Sequence, residues 1–244
     1  MKKQLLDVLF ASEKRKNVLL FLQEGPQEMN TLLKILDTTR TALLPQIKVL
    51  EEHHLLDHYD DSCELTTIGR VIVNEMIPLL ETIDVLEIDI DYWGTHNLDF
   101  IPSCLLERIN EVKDCEIVDP AIHELFSVHR SFNSEYGKSR SVYTVTSLLY
   151  PDFESIIEEL FENNIDFHYI VSQELLNKIR TEYKKEFAKF LKDKSFNMYV
   201  YNKDMKFLYF TFDNVHFVLS AFKANGEIDH KYIVCEGQSA VDWI

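Results

Sequence analysis

Apolar residues recur at helical spacing through most of the first ninety positions. Leu5, Leu6, Leu9 and Phe10 form one stripe, and Val18, Leu19 and Leu22 continue it after a polar break at Ser12 to Asn17, a recurrence that predicts helix. Gly25-Pro26 stops that helix. Met29 to Leu36 repeats the pattern, and Asp37-Thr38-Thr39 makes a polar turn in which Thr39 is placed to cap a third helix. Along the third helix Leu43, Ile47 and Leu50 share one face, opposite Thr41, Pro45, Lys48 and Glu52. Pro45 removes a backbone donor, so that helix is expected to bend or shorten. Short extended runs on either side of Asp60-Asp61-Ser62 predict a hairpin. From Thr66 to Ile90 a longer helical pattern, interrupted at Pro78, carries Ile72, Met76, Leu79, Leu80, Ile83 and Leu86 on its apolar face.

Beyond Pro120 the period changes. Ser141–Thr146 and Asp166–Val171 predict strands, each followed by a helical stretch, Asp152 to Phe161 and then Gln173 to Leu191. Phe196–Tyr201, Phe207–Phe212 and His216–Phe222 add three more strands, the last two joined by a turn at Asp213-Asn214. Strand–helix alternation followed by a hairpin predicts a partly parallel, mixed sheet. The fold class is therefore α+β in three parts: a head over 1–70, a helical connector and dimerisation segment over 71–119, and an α/β domain over 120–244.

Composition sharpens this picture in two ways. Only six glycines occur in 244 residues, where average usage would give roughly 17, so glycine-rich phosphate loops and tight hairpins are poorly supplied. The net charge of −16 argues against a general nucleic-acid or anionic-membrane binder, but it is unevenly spread. Residues 1–70 hold nine Lys+Arg and eleven Asp+Glu, whereas residues 71–119 hold two and twelve. The acidity sits in the connector, and the head is nearly neutral. The most apolar stretch, Val71 to Ile90, is broken by Glu75, Glu81, Asp84, Glu87 and Asp89, which excludes a membrane span there. No apolar run of signal-peptide type follows Lys2-Lys3. Cys63, Cys104, Cys115 and Cys235 lie far apart without a CxxC pair, and four reduced thiols in a cytoplasmic protein are expected.

Three helices and a hairpin within about seventy residues is the order of a winged helix-turn-helix. Residue-level features agree with that order. Ser12-Glu13-Lys14-Arg15 before Val18–Leu22, the run Thr39 to Glu52, and Leu65-Thr66-Thr67-Ile68-Gly69-Arg70 resemble the opening helix, recognition helix and post-wing segment of archaeal winged-helix regulators. Asp91-Tyr92-Trp93-Gly94-Thr95-His96 and Ile101-Pro102 resemble a segment of such regulators found in methane producers, where Trp93 and His96 would anchor the second domain as a packed hinge. Members of that family carry a C-terminal sensor domain similar to phospholipase D-like folds, and continue past S-A-x-x-W with a closing helix. Here Ser239-Ala240-Val241-Asp242-Trp243 is followed only by Ile244, so that helix is expected to be short or missing.

The resemblance implies a cytoplasmic, homodimeric transcriptional regulator that binds double-stranded operator DNA. Arg40 and Lys48 would reach guanine acceptors or phosphates, Thr39 and Thr41 would contact phosphate or base from the first helical turn, and Lys14, Arg15 and Lys16 would clamp the backbone. Asp60 and Asp61 at the wing tip would repel phosphate. The C-terminal domain would sense a small molecule or partner protein, with Ser147 and Ser172 at strand ends and Arg130 as an anion ligand for the effector.

Catalytic signatures are missing from the sequence. No histidine has lysine two places later, so the H-x-K-x₄-D motif of phospholipase D-like enzymes is absent. Gly137-Lys138-Ser139 fails as a P-loop end because position 132 is Phe132. No enzyme activity, cofactor or bound metal is expected. One alternative is a protein-interaction module built on a repurposed winged helix and an inert phospholipase D-like domain. Another is a metal-sensing regulator using His53, His54, His58 and Cys63.

Overall fold

The computed structural model describes residues 4–125 and 139–244. The chain divides into two compact units, the first ending at Leu80 and the second beginning at Glu81.

The first unit follows the sequence pattern closely. Helices α1 (Leu5–Phe10) and α2 (Glu13–Phe21) lead to a two-residue strand β1 (Gln27–Glu28), then α3 (Met29–Ile35), α4 (Arg40–Glu52) and the hairpin β2 (Leu56–Tyr59) and β3 (Ser62–Leu65). Helix α5 (Thr67–Glu87) follows, and starts in one unit and ends in the other. The small sheet has the order β1-β3-β2, all antiparallel. Leu43, Ile47 and Leu50 of α4 are buried with Val18, Leu19, Leu32, Leu56 and Leu65. Thr41, Pro45, Lys48 and Glu52 are exposed. Helix α4 runs unbroken through Pro45. It is not shortened, because the carbonyl that loses its amide partner belongs to Thr41, on the exposed face where water can serve it.

Glycine scarcity does not prevent tight turns. Asp60 and Asp61 take φ of 43° and 72° at the hairpin tip, the pair of positive values that a type I′ turn requires. His54 closes α4 at φ 58°, with its amide bonded to Glu51 O and the Leu55 amide to Leu50 O. This is a Schellman ending without glycine.

The second unit is built on a seven-stranded mixed sheet. Its strands are β4 (Glu116–Val118), β5 (Ser141–Thr146), β6 (Asp166–Ser172), β7 (Phe196–Tyr201), β8 (Phe207–Phe212), β9 (His216–Ala221) and β10 (Tyr232–Glu236). Their order is β4-β10-β9-β8-β5-β6-β7, with β5-β6-β7 parallel and the other pairs antiparallel. The remaining helices are α6 (Ile90–Thr95), α7 (Ser103–Leu106), α8 (Phe153–Glu162), α9 (Gln173–Glu182), α10 (Lys184–Phe190) and α11 (Gln238–Trp243). One core joins α8, α9 and α10 to Phe167, Tyr169, Phe196 and Tyr209 of the sheet. A second joins Val85, Tyr92, Trp93, Ile109 and Trp243 to Phe207, Phe217 and Ile233. All six residues of β9 are buried.

Several expectations change here. The single helix expected over Gln173 to Leu191 is two, broken at Tyr183, whose φ of −125° is not helical and whose ring packs edge-on to Phe153. Residues 90–115, expected as connector, contribute Tyr92, Trp93, Ile101, Ile109, Val112 and Cys115 to the second core. Trp93 donates its indole N–H to Val85 O, and His96 stacks on Tyr92 with its Nδ1 2.7 Å from Tyr92 O. The Ser239–Trp243 motif itself lies in α11, with Trp243 buried and bonded through Nε1 to Leu105 O. The expectation of four reduced thiols fails: Cys115 and Cys235 form a disulfide. The antiparallel register that pairs Val234 with Glu116 sets these two cysteines opposite each other. Cys63 and Cys104 are free.

Candidate nucleic-acid interface

Thr66 and Gly69 fix the geometry of the first unit around α4. The Thr66 hydroxyl donates to His54 O at 2.6 Å and accepts the Gly69 amide at 3.0 Å, so it caps α5 while tying that helix to the end of α4. At Gly69 the backbone lies against Leu55, and the Thr66 amide donates to the same Leu55 carbonyl. Arg70 pairs with Glu64 across 2.6 Å. The Leu65–Arg70 run therefore acts as a splice between hairpin and helix.

The exposed face of α4 borders a groove of about 650 Å³, lined by Arg40, Thr41, Leu44, Lys48, Glu51 and the hairpin residue His58. Thr39 holds the N-cap position but makes no side-chain cap bond, which leaves its hydroxyl exposed beside Arg40. Four of the seven residues expected at DNA, Thr39, Arg40, Thr41 and Lys48, are thus exposed on one element. Arg40, however, is engaged. Its guanidinium pairs with the Asp61 carboxylate at the hairpin tip. Sequence reading singled out Asp61 as repulsive to phosphate but not as a partner for Arg40. The Asp61 carbonyl also receives the Met29 amide at 2.8 Å, so this turn residue holds the start of both α3 and α4.

The three cations of α2 are not alike. Lys14 is half-buried, and Lys16 pairs with Glu13 at 2.8 Å. Arg15, expected as a phosphate clamp, is engaged within the protein. It is 6% exposed, and its guanidinium donates to Val8 O at 2.6 Å, Asp7 O at 3.0 Å and Gln46 Oε1 at 2.8 Å. Those carbonyls lie in the last turn of α1, where a cation is favoured. Arg15 therefore closes α1 and ties it to α4.

The metal-sensing alternative finds no support. His53 Nδ1 sits 2.7 Å from Val49 O on its own helix, and burial pushes the Cys63 thiol up to about 11, which disfavours the thiolate that a metal needs. His58 and Cys63 are cross-strand partners, yet among the described residues no group of three His, Cys, Asp or Glu is placed to hold a metal ion. The residues proposed for an effector also separate. Ser172 is buried and caps α9 by accepting the Leu175 amide at 3.1 Å. Ser147 lines a cavity in the second unit, and Arg130 lies outside the described residues. No described helix is long and apolar enough to cross a membrane.

Fold and site together define a two-unit α+β protein that presents an exposed helix face with Arg40, Thr41 and Lys48 beside a short hairpin. Residues 3–84 match the N-terminal domain of the methanogenesis regulatory protein FilR1, and residues 125–244 match the middle domain of the same family. Both matched stretches point to one family, and it is a regulatory one. FilR1 of Methanothrix harundinacea (strain 6Ac) is 22% identical over 241 residues, 97% of this chain. The chain spans about half of that relative's length, 54%. Among solved structures, TrmBL2, an archaeal chromatin protein whose structure shows a novel mode of DNA binding, overlays with a TM-score of 0.40 at 7% identity, over 95% of this chain and 88% of that one. The S-adenosylmethionine-dependent methyltransferase SibL overlays at 0.23 with 12% identity, over 81% and 65%. Scores this low establish no shared fold.

Proposed function

We propose that this chain is a transcriptional regulator whose first unit is a winged helix-turn-helix head for operator DNA. The observation that carries the reading is the exposed face of α4, where Arg40, Thr41 and Lys48 line a groove against the hairpin while Leu43, Ile47 and Leu50 anchor the opposite side. A helix held in this way can enter a major groove with its first turns foremost. The match to a regulatory family supports the same reading. Ile68, Val71, Leu79 and Ile83 are exposed along α5, which suits pairing with a second copy as two half-sites require. The second unit acts as a non-catalytic effector domain, and its likeness to phospholipase D-like folds rests on the sequence alone.

Selection of binding fragments from genomic DNA with the purified protein tests this reading. An operator sequence should be enriched, and Lys48→Ala should flatten the dependence of log affinity on log salt by about 0.9, one phosphate contact. Enrichment of no sequence would favour the other reading, a protein-interaction module. The Arg40–Asp61 pair and the charge of −16 lend that reading its support.

The hairpin tip yields a prediction of opposite sign. Asp61→Asn keeps the backbone bond to Met29 but releases Arg40 and removes a negative charge from the wing. Titration of a selected fragment should show tighter binding and a salt dependence steeper by about 0.9. Equal affinity would mean that Arg40 does not meet DNA.

A further inference from the structure

The second unit contains a cavity of about 450 Å³ bounded by the end of β5, the start of β8, the end of β9, the β9–β10 connection and the start of β10. Its volume lies within the range of small-molecule sites. Tyr150, Tyr209, Phe222 and Tyr232 supply aromatic walls, and the first two rings meet edge to face at 6.0 Å. Ser147 and Ser220 supply aliphatic hydroxyls beside the phenol groups of the tyrosines, and Asp229 and His230 complete the polar lining.

The hydrogen bonds of these two serines set what a ligand must bring. The Ser147 hydroxyl donates to Leu208 O at 3.1 Å, and the Ser220 hydroxyl donates to Lys231 O at 3.5 Å. Each hydroxyl has one hydrogen. With each hydrogen engaged by a backbone carbonyl, each oxygen keeps only acceptor capacity to offer a ligand. Charge on the wall is already balanced. Asp229 takes the His230 and Lys231 amides at 2.7 and 3.4 Å and lies 3.5 Å from Lys223 Nζ and 3.2 Å from His96 Nε2. Burial alone would raise the Asp229 carboxyl, but those amides and the Lys223 ammonium hold it below its ordinary value. His230 is the one remaining titratable side chain on the described wall besides tyrosine. Apart from His230, a charged ligand would meet no described counter-charge, at a high desolvation cost.

We propose that this cavity binds an uncharged aromatic molecule carrying an N–H or O–H donor, of the indole or phenol class, with Ser147 or Ser220 accepting its hydrogen bond. The assignment deepens the effector role given to the second unit and rests on that reading for its consequence, though not for the binding itself.

Calorimetric titration of the full chain with indole, 1-methylindole and indole-3-carboxylate tests the site. Indole should bind saturably with one-to-one stoichiometry. 1-Methylindole, which has no donor, should bind about tenfold more weakly, as expected for one lost hydrogen bond. The carboxylate should bind more weakly still. Ser220→Leu fills the cavity from its floor and should abolish indole binding. Ser147→Leu does the same from the half-buried edge, so the test stands if the first variant fails to fold. No saturable indole binding, equal affinity for the methylated probe, tighter binding of the anion, or binding that survives the folded filling variants would each overturn the proposal. Repeating the DNA titration with indole separates the two readings. Indole binding without any change in DNA affinity would refute the sensing role and leave the site standing. Absence of DNA binding would refute the regulator and leave the calorimetry unaffected.

Discussion

Gly69→Ala should unfold the first unit well below the temperature at which the native protein melts. A methyl group at this position would overlap the carbonyl oxygen of Leu55, lie 2.9 Å from its carbonyl carbon and press on Leu65 Cδ2 at 3.3 Å. The two nearest are backbone atoms that cannot swing aside, and the Leu65 side chain is buried. The Leu55 carbonyl also accepts the Thr66 amide, so moving it breaks the splice between hairpin and α5. Overpacking against side chains costs about 1–3 kcal/mol, and a clash with fixed backbone should reach or exceed the upper end. For a unit of this size that corresponds to a fall of roughly 12 °C or more. Both tryptophans, Trp93 and Trp243, lie in the second unit. Far-ultraviolet circular dichroism should therefore show an early loss of helix that tryptophan fluorescence does not follow. Coincident, unshifted transitions would show that the close approach at Leu55 is absent in solution.

Arg15→Lys should destabilise the same unit by roughly 3 kcal/mol, since charge-assisted hydrogen bonds contribute about 1.5–3 kcal/mol each and lysine cannot span three acceptors as guanidinium does. The acceptors are the Asp7 and Val8 carbonyls and the Gln46 amide oxygen. A phosphate clamp would behave differently, because lysine serves phosphate as a point charge. Chemical denaturation of Arg15→Lys beside Lys14→Ala discriminates the roles: the first should lower the helix-loss midpoint, and the second should leave it in place. Unchanged stability in Arg15→Lys, with weakened DNA binding, would restore Arg15 to the interface.

Arg15 also marks the limit of what the chain discloses by itself. It stands among Glu13, Lys14 and Lys16, and nothing in that run distinguishes a buried cation from solvated ones. Two of its three partners are backbone carbonyls at the end of another helix, which carry no side-chain signature. The apolar face of α4 was legible because Leu43, Ile47 and Leu50 recur at helical spacing, and all three are buried. The hairpin was legible because a polar Asp-Asp pair separates two extended runs, although no glycine marks the turn. In the second unit, strands with clear alternation were found. β4 and β10 both escaped; β4 has only three residues and pairs only with β10, more than a hundred residues later. The Cys115–Cys235 pair escaped for the same reason, since it depends on that register. The groove residues of α4 were legible as types, but their engagement was not. That Asp61 answers Arg40 depends on where the turn sets the hairpin tip.

The sheet order has a consequence for how the protein emerges during synthesis. Every partner that the first unit's core needs is present by the time α5 has been made, so its head can fold early on the ribosome. The second unit cannot follow in step. Tyr92, Trp93, Ile101 and Ile109 must wait for Phe207, Phe217 and Ile233, and β4 must wait for β10. For the time needed to translate more than a hundred residues, a large apolar segment has no permanent cover. At about 5–20 residues per second that interval lasts several seconds. The nascent chain should therefore engage a general chaperone mainly through residues 85–118, while its head is already folded.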